Sequence, residues 1–230
     1  LVINAAAHTA VDQAEGEPDK AWIINAAAPA AMAGAAARTG IPLIHLSTDY
    51  VFDGRKPTPY VEDDPIAPLC VYGATKAAGE AAVRDAGGRH VILRTSWIYG
   101  ATGGNFVKTM LRLGAERPTL RIVDDQHGAP TAGTDIAEAV MAVSLRLVAG
   151  EAPTGTFHYT ATGVTTWYGS HRGSSRMQPA PDGRYRNWRR SGRSTTRRLP
   201  SGLRTRGSTA AGSQSPTASS AARGRSHSPR

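Results

Sequence analysis

The strongest constraint on how this chain can fold is a rhythm in which short apolar runs, each about one buried strand long, alternate with longer stretches of helical pattern. The runs are LVINAA from Leu1, PLIHLS from Pro42, HVILRT from His90, TLRIV from Thr119 and GTFHYT from Gly155. Strands buried on both faces read as near-continuous apolar segments, which marks a parallel sheet covered by helices. Between the first two runs, residues 18–39 open with Pro and acids, are dense in Ala and stop at Gly40, the start and stop signals of a helix. Residues 72–85, 105–113 and 134–149 read likewise. The Ala-rich stretch 25–37 is a core-packing helix and not a membrane segment, since Ala is barely apolar and favours helix by propensity. No run of 18 or more strongly apolar residues occurs, so no transmembrane helix and no membrane partner are expected.

Charge divides the chain in two. The net charge is +9, yet residues 170–230 hold 14 Arg, no Lys and one acid, Asp182, a local charge of +13. Residues 1–169 are mildly acidic, at −4. The basic segment has no Val, Ile or Phe and offers only Met177, Leu199 and Leu203 as aliphatic core, so it is expected to be disordered. Arg clusters near Tyr185 and Trp188 have the composition of a nucleic-acid-binding arm. The absence of Lys and the break in the strand-helix pattern at Trp167 and Tyr168 argue instead for a shifted reading frame in a GC-rich gene, and nucleic acid is not an expected partner. One cysteine, Cys70, cannot form an internal disulfide, which favours a reducing compartment and a cytoplasmic location. The chain opens on Leu1 inside an apolar run, so an N-terminal portion is expected to be missing, and the lack of a signal peptide carries no information.

The sharpest chemical signal is Tyr72-Gly-Ala-Thr-Lys76, because residues four apart share a helix face and bring phenol and ammonium together. A nearby cation favours phenolate and should lower the tyrosine toward the range of a usable acid. With seven Tyr and four Lys in 230 residues the pair arises by chance about 0.12 times, so it needs context. That context is Ser47-Thr48-Asp49-Tyr50-Val51-Phe52-Asp53-Gly54, which follows PLIHLS and so sits at a carboxyl strand end, where open α/β sheets bind ligands. The first strand likewise runs into Asn4-Ala5-Ala6-Ala7-His8-Thr9, small residues that let a flat ligand approach the backbone.

Taken together, STDYVFDG, YGATK with Gly79-Glu80, RTSWIYG from Arg94, NFVKTMLRL from Asn105 and DDQHGAPT from Asp124 resemble the dTDP-4-dehydrorhamnose reductases, which are extended short-chain dehydrogenases/reductases. The resemblance covers residues 1–169 in collinear order and leaves out 170–230. It implies reduction of the 4-keto group of dTDP-4-dehydro-L-rhamnose, a nucleotide sugar, by hydride from NADPH or NADH. It casts Tyr72 as proton donor, Lys76 as holder of the nicotinamide ribose and Thr48 as third catalytic member. Ala6, Ala7, His8 and Thr9, with Tyr72 and Lys76, would line the cofactor; Thr48, Asp49, Trp97, Gln126 and Thr131 would meet the substrate, with Gly128 and Pro130 bordering it. No metal site is implied, and a homodimer is compatible with the reading. The implied fold is a partial Rossmann-like doubly wound parallel sheet lacking the N-terminal Gly-rich βα units that bind pyrophosphate, with 1–169 as the cofactor- and substrate-binding domain and 170–230 as a tail. The chain as it stands is therefore expected to be inactive. Two alternatives stay open: a non-catalytic binding homologue of the same fold, and a nucleotide-sugar epimerase or dehydratase sharing the Tyr-Lys pair.

Overall fold

The structure, a computed structural model, describes residues 1–117, 120–175 and 189–191, with side chains as far as Arg172. The central sheet has four strands in the order β1 (Val2–Asn4), β2 (Leu43–Thr48), β3 (His90–Thr95) and β8 (Gly155–His158), all parallel. Parallel neighbours need crossovers. The crossover from β1 to β2 contains α1 (Val11–Gly16), α2 (Pro18–Trp22), a π-helical turn (Ile23–Ala27) and α3 (Ala28–Thr39), and that from β2 to β3 contains α4 (Val71–Asp85). The long crossover from β3 to β8 holds β4 (Ile98–Tyr99), α5 (Phe106–Glu116), β5 (Arg121–Val123), β6 (His127–Gly128), β7 (Thr131–Ala132) and α6 (Gly133–Val148). After β8 come β9 (Thr165–Thr166), α7 (Trp167–Ser175) and β10 (Arg189–Ser191).

Helices cover both faces, as a doubly wound sheet requires. On one face Ala33 and Ala36 of α3 and Val83 of α4 pack on Leu43 and Ile92. On the other, Ile136, Val140 and Leu147 of α6 pack on Ile44, Val91 and Leu93. Small residues set the close approaches. A Cβ on Gly79 would stand 2.2 Å from the Asn25 carbonyl oxygen, so α4 touches the π-helical turn backbone to backbone. Gly40 ends α3 at φ 66°, the left-handed conformation in which glycine pays no steric penalty.

Three expectations meet a different outcome. The apolar run TLRIV does not join the central sheet: Arg121–Val123 pairs in parallel with Arg189–Ser191, because a short apolar run records burial and not the partner it finds. The helix expected over 18–39 is interrupted by the π-helical turn at Ile23–Ala27. Helix α7 runs through the 169/170 boundary drawn from composition; the rest of the expectation of disorder concerns 176–188 and 192–230, which lie outside the described residues. Among the described residues no helix is long and apolar enough to cross a membrane.

Candidate active site

The carboxyl ends of β1, β2 and β3 deliver three chain segments to one edge of the sheet. In-register pairing of Thr48 with Thr95 means that Asp49 leaves β2 beside the point where Ser96 and Trp97 leave β3. Thr48 caps the short 3-10 turn Asp49–Val51: its Oγ1 accepts the Tyr50 N–H at 3.2 Å and donates to Asp49 Oδ1 at 3.1 Å. Tyr72, the second residue of α4, lies beside it, close enough for its phenol to be influenced by the Thr48 hydroxyl and the Asp49 carboxylate. Thr48, Asp49 and Tyr72, all buried, are thus brought together. The Tyr50 ring packs edge-on against Tyr72 with centroids 5.2 Å apart.

Below Tyr72, helix α4 turns Lys76, Glu80 and Val83 inward at helical spacing. Lys76 Nζ donates to the Leu46 carbonyl at 2.7 Å and lies 3.4 Å from His45 Nε2. Glu80, fully buried, takes two hydrogen bonds from Arg94 of β3, at 2.9 and 2.7 Å. Burial works to raise the Glu80 carboxyl, but the Arg94 hydrogen bonds and charge hold it below its usual value. Arg94 in turn reaches the Glu62 carbonyl at 3.4 Å and His158 Nε2 at 3.3 Å, and lies over the Phe52 ring at 5.0 Å.

Burial sets the protonation states here. It pushes the Tyr72 phenol up to about 12, with Asp49 adding to the rise and the Thr48 hydroxyl opposing it. The net shift therefore runs opposite to the lowering expected from Lys76, because burial of the phenol dominates. Burial also brings Lys76 down to about 8 against the pull of Glu80, and lifts Asp49 to about 7 against its hydrogen bond with Thr48.

The loop after β1 is fixed from two sides. Asn25, buried in the π-helical turn, accepts the His8 N–H at 2.8 Å, donates to the His8 carbonyl at 3.1 Å and donates to Thr75 of α4 at 3.1 Å. Single π-helical turns are frequent at functional sites, and here the turn is what aims Asn25. Ala6 and Thr9 are left exposed and Ala7 half-buried, whereas His8 is buried, with Nε2 3.5 Å from Glu17 Oε2.

The third segment is aromatic. Trp97 has φ 47°, the one non-glycine residue at positive φ among those described, and such strain clusters at functional sites. Its ring stacks on Trp167 at 3.6 Å between centroids, and Phe106 leans on Trp167 at 4.3 Å. A Cβ on Gly128 would come within 2.4 Å of the Trp97 ring, so only glycine fits there. Gln126 accepts the Trp167 indole N–H at 3.0 Å. Thr131 is fully buried; its hydroxyl donates to the Ala129 carbonyl at 2.9 Å and accepts the Ala161 N–H at 3.2 Å. Gln126 and Thr131 thus brace this wall from behind.

Buried polar atoms without a hydrogen-bond partner gather at this edge: His8 Nδ1, Asp49 Oδ2, Thr95 Oγ1 and Trp97 Nε1. Such atoms are rare in folded proteins and suit a polar ligand. With the small side chains Ala5, Ala6 and Ala7 beside them, they fit the flat, hydroxyl-rich end of a nicotinamide nucleotide and a sugar. No cluster of three or more His, Cys, Asp or Glu able to hold a metal occurs among the described residues.

Sequence reasoning passed over Asn4, Asn25, His45, Glu80, Arg94 and Trp167. The available signal was a polar residue inside an apolar run, as in His45 of PLIHLS or Arg94 of HVILRT.

A doubly wound parallel sheet carrying a Tyr-x-x-x-Lys helix beside a Thr-bearing strand end defines a short-chain dehydrogenase/reductase-like protein. More narrowly, the chain belongs to the RmlD substrate binding domain family, whose model matches residues 1–178. It is 48% identical over 169 residues to the dTDP-4-dehydrorhamnose reductase of Sinorhizobium fredii NGR234, a match covering 73% of this chain and 57% of that one. The Escherichia coli K12 dTDP-4-dehydrorhamnose reductase is also 48% identical, over 73% of this chain and 56% of its own. The chain therefore spans little more than half the length of these relatives. Among solved structures, a Bacillus anthracis dTDP-4-dehydrorhamnose reductase in complex with NADP superposes with TM-score 0.79 at 36% identity, covering 89% of this chain and 71% of that one.

Proposed function

We propose that this chain carries the reacting centre of a reductase that converts the 4-keto group of dTDP-4-dehydro-L-rhamnose to a hydroxyl, with NADPH or NADH as reductant. The observation that carries this reading is the convergence of Thr48, Asp49 and Tyr72 at one strand end with Lys76 one helical turn below. The names of the relatives and the NADP complex of the Bacillus protein support it.

When bound, the reduced nicotinamide supplies the hydride. The protein's part is proton delivery and orientation. A phenol at about 12 keeps its proton at neutral pH, so Tyr72 serves as an acid and gives that proton to the carbonyl oxygen as negative charge develops there. Thr48, beside the phenol, holds its hydroxyl proton on Asp49 Oδ1 and would turn it to the same oxygen when substrate enters. Asp49 Oδ2 is left to take a sugar hydroxyl, Trp97 supplies an apolar wall, and the His8 loop and Lys76 hold the cofactor side.

The test is oxidation of NADPH by protein containing this chain, with and without dTDP-4-dehydro-L-rhamnose, and analysis of the sugar product. The expected result is keto-sugar-dependent oxidation yielding dTDP-L-rhamnose. Binding of the sugar nucleotide without oxidation would make the protein a binding homologue, and an epimerised or dehydrated product would move it to another reaction class.

A further inference from the structure

A side chain that no hydrogen bond fixes must be held by packing, and the Trp97 ring is such a case. Its backbone stands at φ 47°, a conformation that an L residue keeps only where the surroundings over-determine it. The Trp97 carbonyl accepts the Thr131 N–H at 3.2 Å, which ties the backbone to β7 but leaves the side chain to turn about its own bonds. The indole Nε1 is buried and has no acceptor among the described residues, although a buried tryptophan N–H usually finds one. What holds the ring is therefore contact with its face and its edge.

Both contacts come from one ribbon. Strands β6 and β9 pair antiparallel, Gly128 with Thr165 and His127 with Thr166, so the next residues along that register, Gln126 and Trp167, stand side by side. The Trp167 N–H is taken by Gln126 Oε1 at 3.0 Å, and Phe106 of α5 leans on the Trp167 ring at 4.3 Å. From the same ribbon Gly128 gives the Trp97 ring a seat that a Cβ would fill, 2.4 Å from the ring, and Trp167 covers one face of it at 3.6 Å with 12° between the planes. Trp167 has the hydrogen bond that Trp97 lacks. It is the anchored member of the pair, and Trp97 is the member that is placed. With one face taken, a sugar can reach the Trp97 indole only from the other.

We propose that Trp167 is a positioning residue for sugar-nucleotide binding: it sets the plane of Trp97, and so the face that a sugar ring meets, without touching the sugar itself. The identity of the ligand rests on the reductase reading. A hexose has a C–H face that packs on a flat indole, so tilting that plane loses contact while the polar groups of the site stay in place. Thr48 and Tyr72 come from β2 and α4 and not from the ribbon. Loss of Trp167 should therefore fall on affinity for the sugar nucleotide and spare the cofactor.

The experiment is calorimetric binding of dTDP-L-rhamnose and of NADPH to protein containing this chain, together with far-UV circular dichroism. The variants are Trp97→Leu, Trp167→Leu, both together, Trp167→Phe and Gly128→Ala. Two indoles stacked at 3.6 Å couple their transitions, so the unsubstituted protein should show an exciton couplet that either Leu substitution abolishes. Trp167→Leu should weaken dTDP-L-rhamnose binding roughly tenfold and leave NADPH binding as it was. With Trp97 already Leu, the same change should add about twofold at most, because a residue acting through another then has nothing left to place. Trp167→Phe should lose the couplet yet keep affinity within about threefold, since a flat ring still backs the indole. Gly128→Ala displaces the Trp97 ring with Trp167 intact and should cost a similar, roughly tenfold, loss. Additive losses in the double variant, equal losses for NADPH and sugar nucleotide, or unsubstituted affinity in Trp167→Leu or Gly128→Ala would overturn the proposal. If Trp167→Leu does not fold, the other two decide, and a Phe variant weakened as much as Gly128→Ala overturns it. Protein that binds dTDP-L-rhamnose with this coupling but does not reduce the keto sugar refutes the reductase reading alone, additive losses refute this one alone, and no binding at all refutes both.

Discussion

The two faces of the central sheet are built for different ends. Toward α6 the strands present Ile44, Val91 and Leu93, and the helix answers with Ile136, Val140 and Leu147. Toward α4 the same strands present Asn4, His45 and Arg94, and the helix answers with Tyr72, Lys76 and Glu80. Apolar burial on the first face holds the sheet together at roughly 25 cal/mol per Å² removed from water. Ions on the second face are costly to bury and add little net stability even when paired. What they add is position: each charge is anchored to a strand, and the stripe ends at the phenol that faces the site. Apolar packing stabilises the sheet on both sides, through Leu43 and Ile92 toward α3 and α4 as well, and the chemistry is aimed from the polar stripe of the second face.

Breaking one member of the polar face should show the largest effect on stability. Glu80→Ala leaves the Arg94 guanidinium, 1% exposed, without its carboxylate, and should cost about 3–5 kcal/mol in chemical denaturation. Replacing both partners together, Glu80→Leu with Arg94→Met, should recover most of that loss while Lys76 and Tyr72 lose their alignment, which separates stability from positioning. On the apolar face Leu147→Ala should cost about 2–5 kcal/mol through lost burial and a cavity, without altering the Lys76 titration.

Asp49 sharpens the contrast through pH. Its folded pKa, about 7, lies above the unfolded value, so between about pH 4 and pH 7 the folded state binds more protons, and stability falls as pH rises through that window. Asp49→Asn should therefore leave stability unchanged near pH 4 and raise it by on the order of 4 kcal/mol above pH 7, measured by denaturant melts across the range. Thr48→Val should be the mildest change. It removes the hydroxyl beside the phenol, about 1 kcal/mol of hydrogen bonding, and leaves the acid in place, so turnover should fall by roughly tenfold or less in steady-state kinetics.

The same contrast explains what could be read from the residues alone. Apolar periodicity carries the faces that exclude water, so the parallel sheet, α4 and α6 were legible. Tyr72 and Lys76 stood out because one helix places them four residues apart, a local relation. His45 and Arg94 act through partners 31 and 14 residues away, and a single polar residue in an apolar run does not name its partner. The direction of the Tyr72 shift is not local either: spacing shows that Lys76 is near, but not that burial of the phenol outweighs its charge. The pairing of Arg121–Val123 with Arg189–Ser191 lies equally beyond a local pattern.

The most direct test of the account is the single-turnover rate of Tyr72→Phe against the unsubstituted protein, with NADPH and dTDP-4-dehydro-L-rhamnose, alongside sugar-nucleotide affinity. Phenylalanine keeps the ring that packs on Tyr50 and removes the proton, so the chemical rate should fall by ~10²- to 10⁴-fold while affinity changes little. A variant that reduces the keto sugar at the unsubstituted rate would contradict the assignment of Tyr72 as the acid, and with it the reading of the polar face as the part of the fold that aims the chemistry.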